Sequence, residues 1–297
     1  MSSIRVNPYP MPDLISAVEQ LRQRENTETL QLATGSRINQ PSDDPAGAAQ
    51  LAQISDQSSQ VDSFQRSVSS VSGLLSTADS TINSVVTALQ RAISLGVEGA
   101  NGTLSDSDRA DVSAEVSGIR DQLLSLANTS YQGQYIFSGT ATTQPFVADN
   151  TVPSGVRYAG NTGVNKVTIG NNYQLRINQP GSAIFNGPGA DVFKSINDLI
   201  TALNTNSGIG AAVNEVDTAF SYVTAQRVFY GNGLNQTQSQ QTYLNTVKLG
   251  LAQQQNTTAA ADIASVASQL VNDETARTAA LDAIGRTPQT SLFDYLK

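Results

Sequence analysis

The chain has 297 residues, with 17 Lys and Arg against 25 Asp and Glu, for a net charge of −8 and a pI near 4.5. Without a basic stripe it cannot neutralise phosphates, so nucleic acid is excluded as a partner. It contains neither Cys nor His, which removes disulfides, thiolate chemistry, the commonest metal ligand and the usual general base.

Apolar residues make up 39% of the chain and there is no Trp, so the expected core is thin and elongated. No stretch approaches the apolar length of a membrane span, and no membrane partner is expected. The start, Met1 to Pro8, lacks the apolar core of a secretory signal. Export by the general pathway is not indicated.

Taken in chain order, residues 1–12 carry Pro8, Pro10 and Pro12 and read as extended. A first helix is expected from about Asp13 to Thr34, with the stripe Leu14, Val18, Leu21, Glu25, Glu28 and Leu32. The two Glu interrupt its apolar face and make it weak alone. Gly35 is a natural C′ residue. After the turn, Asp44 is placed to cap a second helix with Pro45 at its first position, where a missing N–H costs nothing.

That second helix carries the clearest signal in the chain. Val61, Phe64, Val68, Val71, Leu75, Ala78, Ile82, Val85 and Leu89 alternate steps of three and four. A 3.5-residue apolar period held over four heptads marks a long helix lying against other long helices. It is expected over about 45–98, some 80 Å of helix at 1.5 Å per residue. Gly99 to Gly102 break it. Ser105 or Ser107 then caps a third helix with the stripe Val112, Val116, Ile119, Leu123 and Leu126, and the two form an antiparallel hairpin.

From Tyr131 the texture changes to Gly, Asn, Thr and Pro. Val167, Ile169, Leu175 and Ile177 flank Gly170-Asn171-Asn172 as a β-hairpin, and Gln134–Phe137 and Val156–Tyr158 read as further strands. Residues 131–190 are expected to form a small β-rich insert. Helical patterning returns at Val192 and runs from about Ala211 to Gly285, with Gly231-Asn232-Gly233 a possible interruption. Its last stripe is Ile263, Val266, Leu270, Leu281 and Ile284, and the tail ends in Ser291 to Lys297.

Several stretches, in order, resemble the bacterial flagellin superfamily. Leu32–Ala49 (LATGSRINQPSDDPAGAA) is similar to its signature around the first helix and turn. Leu89–Arg109 resembles the join between its second and third helices. Leu123–Thr140 with Gln144-Pro145-Phe146 resembles the entry to its insert. Val156–Gly163, the hairpin around Gly170-Asn171-Asn172, Pro180 to Phe185, and the ending TSLFDYLK are most similar to the hook-associated, hook–filament junction branch.

The resemblance implies a mainly α fold: an elongated antiparallel helical bundle or coiled coil from both chain termini, with a small β-rich insert. It implies residues 1–41 and 252–297 as terminal helices that pair into an inner tube on assembly. Residues 42–130 and 191–251 become a central helical rod, and 131–190 a solvent-facing insert. The function implied is a structural subunit of the flagellum that forms the hook–filament junction ring. The alternative is flagellin, the bulk filament subunit. Its partners would be copies of itself, the neighbouring axial proteins (hook adaptor and flagellin) and an export chaperone. Its place would be extracellular, on the flagellum, after type III export without a cleaved signal peptide. No enzyme activity, cofactor or metal is expected.

The residues expected to carry packing and assembly are Leu14, Val18, Leu21, Leu32, Val61, Phe64, Val68, Val71, Leu75, Ile82, Val85, Leu89, Ile263, Val266, Leu270, Leu281, Ile284, Leu292 and Leu296. The two ends are amphipathic but separated by more than 200 residues, and closing so long a loop opposes their pairing. They are therefore expected to order only when neighbours cover their stripes.

The other motifs read as structure. Asp43 and Asp44 cap and turn rather than form an acid–base pair. Asp106, Asp108 and Asp111 lack the Gly and Glu of a calcium loop. An enzymatic insert would have a single carboxylate, Asp149, to work with between 131 and 190.

Overall fold

The structure, a computed structural model, describes residues 11–286. It is mainly helical. The elements are α1 (Met11–Thr34), α2 (Pro45–Gly99), α3 (Asp106–Ala127), β1 (Ser130–Tyr131), β2 (Gln134–Tyr135), β3 (Phe146–Ala148), β4 (Val156–Tyr158), β5 (Lys166–Gly170), β6 (Tyr173–Arg176), α4 (Gly181–Phe185), β7 (Asn186–Gly187), β8 (Ala190–Asp191), α5 (Val192–Thr205), α6 (Ile209–Ala259) and α7 (Ile263–Arg286). They divide into two compact units: 11–59 with 248–286, and 60–247.

In the first unit α1 packs on α7. The direction follows from the pairs that bridge them: Arg24 meets Asp273, Glu25 meets Arg277, and Ser36 bridges Ala260, so the helices run antiparallel. Gly35 ends α1 at φ +69°, the left-handed value that favours glycine. The expected cap of α2 forms: Asp44 Oδ1 accepts from the Gly47 amide at 2.9 Å, with Pro45 first in the helix. Asp13, expected as the cap of α1, instead lies in its first turn, because the helix is already formed at Met11.

The expected single stretch from Ala211 to Gly285 breaks at Ala260–Asp262. There the chain clasps the α1–α2 turn. Arg37 N donates to Ala259 O at 2.7 Å, Ala261 N to Gly35 O at 3.0 Å, and Arg37 Nε to Thr258 O at 2.9 Å. Asp262 restarts the helix by accepting from the amides of Ala264 and Ser265.

In the second unit, α2 and α6 lie antiparallel. Gln65 bonds Asn245, Asp79 pairs with Arg227, and Gly96 faces Val213, so partners fall in α6 as they rise in α2. Gly231-Asn232-Gly233 does not interrupt α6. A methyl group on Gly233 would stand 2.9 Å from Leu75 Cδ1, so the glycine serves close approach to α2 rather than a break. α3 packs on α5, and its Ser105 cap accepts from the Asp108 amide at 3.1 Å. Arg109, 5% exposed, reaches back to Gly99 O and Leu104 O at 3.0 and 3.1 Å, satisfying a helix-end carbonyl that would otherwise be unpaired.

The strands pair only locally, as four two-stranded antiparallel hairpins. β5 and β6 form the expected hairpin around Asn171-Asn172, with Asn172 at φ +56°. The strand expected over Val156–Tyr158 forms as β4 and pairs with β3, Val147 opposite Arg157. The strand expected over Gln134–Phe137 stops at Tyr135, since Ile136 and Phe137 turn into the core. That core is aromatic. Phe146 stands 5.1 to 5.4 Å from Tyr158, Phe185 and Phe193, and Phe185 stands 5.4 Å from Phe137. Gln240 Nε2 to Ile169 O and Tyr222 Oη to Ala183 O anchor this region to α6.

Candidate assembly surface

The seam residues Val61, Val68, Val71, Leu75, Ile82, Val85 and Leu89 are buried within the second unit, and Phe64 is half-buried. The seam runs on past its expected end through Ala92 and Leu95, both at most 2% exposed. The sequence signal missed there is small: alanine fills a seam position without looking apolar enough to count.

The first unit is built differently. On α1 only Leu21 and Glu28 are buried, while Leu14, Val18 and Leu32 are half-buried. On α7 only Val266 is buried, with Leu270 and Ile284 half-buried. Ile263 and Leu281 are 48% and 46% exposed, and Ile15, Leu30 and Val271 also stand in solvent. Leu292 and Leu296 lie outside the described residues. Within the single chain α1 packs on α7. What the pair lacks is cover on its flanks. Exposed apolar side chains recurring along both helices of a thin pair are the mark of a surface that meets another protein.

The centre of the pair is polar. Arg277 Nε donates to Glu25 Oε1 at 2.7 Å, and Arg24 Nε lies 3.3 Å from Asp273 Oδ2. Glu28 sits between them, 9% exposed, with Oε2 buried and unbonded among the described residues. Burial pushes its carboxyl above the ordinary value; Asp273 and Glu25 add to the rise and Arg24 opposes it. The stripe showed Glu25 and Glu28 as interruptions. Glu25's cationic partner Arg277 lies 252 residues away, where helical periodicity in one segment cannot reach.

No constellation for chemistry accompanies this surface. Among the described residues no group of His, Cys, Asp or Glu is placed to hold a metal ion, and no helix is long and apolar enough to cross a membrane. Burial pushes the Tyr158 and Tyr230 hydroxyls up, away from use as bases. An open groove of about 470 Å³ lies in the second unit between α2 and the hairpins, lined by Arg66, Leu74, Tyr131, Gln132 and Ile177. Ser67 and Ser70 also line it, but the lining has no carboxylate or histidine to activate a hydroxyl.

The chain matches known proteins along its length. The family model for the bacterial flagellin N-terminal helical region matches residues 16–142. Flagellar hook-associated protein 3 of Escherichia coli K12 is 29% identical over 90% of this chain and 91% of its own. That of Salmonella typhimurium is 41% identical over 38% of this chain and 36% of its own. The crystal structure of Bacillus cereus FlgL superposes with a TM-score of 0.60 at 21% identity, covering 69% of this chain and 99% of the other. That last likeness is one of fold.

Proposed function

We propose that the chain is a member of the bacterial flagellin superfamily, most like its hook-associated protein 3 (FlgL) branch, and a structural subunit of the hook–filament junction. Copies of the chain stack helically. Residues 1–41 and 252–297 pair into the inner tube, 42–130 and 191–251 form the rod outside it, and 131–190 face solvent. The ring binds the hook adaptor on one side and flagellin on the other. The subunit reaches this place outside the cell unfolded, by type III export with a chaperone.

The observation that carries the reading is the contrast between the two units. The second closes its seam inside one chain. The first leaves Ile15, Leu30, Ile263, Val271 and Leu281 on the flanks of its helix pair. At roughly 25 cal/mol per Å² of apolar area, covering five such side chains gives each subunit several kcal/mol for docking on its neighbours. The match to a hook-associated protein along nine-tenths of both chains supports the junction over the filament.

The test is electron microscopy of purified chain added to isolated hook ends. The reading expects a short collar that stops growing until flagellin is supplied. Long filaments from the chain alone would assign it to the bulk filament instead. Leu281→Asp should prevent the collar without changing the unfolding of the second unit.

A further inference from the structure

The polar centre of the α1–α7 pair holds an imbalance that assembly does not explain. Three carboxylates and two guanidinium groups face one another across the two helices. α1 contributes Arg24, Glu25 and Glu28; α7 contributes Asp273 and Arg277. Both cations are already committed. Arg277 bonds Glu25 at 2.7 Å and Arg24 lies 3.3 Å from Asp273. The carboxylate left over is Glu28, the most buried of the three at 9% exposure, and its Oε2 finds no donor among the described residues.

We propose that the proton on Glu28 controls how tightly the terminal helices hold each other: the ionised carboxylate loosens the α1–α7 pair near neutral pH, and the neutral acid draws it together.

An ionised carboxylate in this place has lost water without gaining a partner, which costs free energy that only unpairing or protonation relieves. Protonation turns Oε2 into a donor, and the neighbouring carboxylates of Glu25 and Asp273 can accept. Its single proton serves one of them, and the like charge facing the other is gone. The geometry agrees with the direction of the shift: burial first, then Asp273, raises the Glu28 carboxyl. A group whose folded value is raised stabilises the fold fully below its unfolded value. That contribution is lost as pH climbs through the raised one. The pair is therefore tightest in mild acid.

The consequence concerns the free chain and does not depend on what it assembles with. At neutral pH the pair is weakened by one excess carboxylate charge, so α1 and α7 are more readily released to neighbours. The device is single-sited and can be removed by one substitution.

Hydrogen exchange of the full-length monomer tests it, read as protection factors so that the pH dependence of intrinsic exchange cancels. Amides of 14–32 and 266–284 should gain severalfold protection between about pH 7.5 and about pH 5, as the raised carboxyl takes up its proton. Amides of α3, in the second unit, should not move. Glu28→Gln keeps the shape and lacks the charge; Glu28→Leu removes the polar group altogether. Both variants should be protected at neutral pH as the parent is in mild acid, with no further change on acidification. The proposal is overturned if the parent shows no acid gain. It is equally overturned if the gain survives in both variants, or if both are less protected than the parent at neutral pH. A pair that responds as described but builds no collar would leave this inference standing and remove the assembly reading.

Discussion

Arg227 grips Asp79 through two nitrogens, Nε to Oδ1 at 2.7 Å and Nη2 to Oδ2 at 2.9 Å, and its third nitrogen reaches Asn83 Oδ1 at 2.8 Å. The contact joins α6 to α2 across 148 residues and fixes the register in which the two helices run. Both side chains are partly exposed, so solvent screens much of the Coulomb term and the bidentate geometry carries the rest. A double-mutant cycle of Arg227→Ala and Asp79→Ala, followed by urea unfolding, should return a coupling of about 0.5–1 kcal/mol. Strict additivity would mean the register is set by apolar contacts alone.

Two glycines two residues apart, on different faces of α6, should answer substitution with opposite signs. Gly231 has open space where a side chain would go, whereas Gly233 looks directly at Leu75, which is fully buried. Gly231→Ala should stabilise the helix by about 0.5–1 kcal/mol. Gly233→Val should destabilise by about 1–3 kcal/mol through overpacking. Thermal unfolding of the two variants distinguishes them. Equal effects would mean that α6 does not approach α2 through Gly233.

Val71 is 4% exposed in the seam of α2. Val71→Asp places a carboxylate where no cation waits, at a cost of several kcal/mol. Circular dichroism of this variant should show a large loss of cooperative unfolding. A midpoint within a few degrees of the parent would contradict the buried placement of the seam.

Asp44 ties pH to the start of α2. The Gly47 amide, then Arg37, holds its carboxyl below the usual range. A depressed group stabilises the fold above its unfolded value, and that contribution is lost as pH falls through the depressed one. Exchange of the Gly47 amide should therefore accelerate in acid, opposite in sense to the Glu28 effect on α1 and α7. Asp44→Asn should abolish the acid dependence while keeping most of the cap. Gly47 protection that is flat with pH in the parent would refute it.

Much of this fold is written locally and can be read locally. Gly35, Asp44 before Pro45, and Ser105 before Asp108 each signal a helix boundary through a single backbone need, and each sits at one. The seam of α2 is legible because its period persists over many turns. The errors fall where a distant partner decides. Gly231-Asn232-Gly233 has the composition of a break, yet Leu75 of another helix accounts for Gly233. Ala259-Ala260-Ala261 has the composition of a helix, yet it opens into a clasp with Gly35 and Arg37, more than 200 residues earlier in the chain. The assembly surface is legible in part. Leu281 and Ile263 stand out as apolar, but their exposure follows from how α7 turns on α1, and Glu28 gains its meaning only from Asp273 and Arg277.

The central claim is that neighbours in the assembled ring cover the flanks of the α1–α7 pair. The chain contains no cysteine, so Leu281→Cys provides one thiol at a position that is 46% exposed in the single chain. The rate of maleimide labelling, compared between monomer and assembled collar, measures its cover directly. The account predicts fast labelling of the monomer and a fall of at least roughly tenfold on assembly, for a side chain taken out of water. Labelling of the collar at the monomer's rate would contradict it.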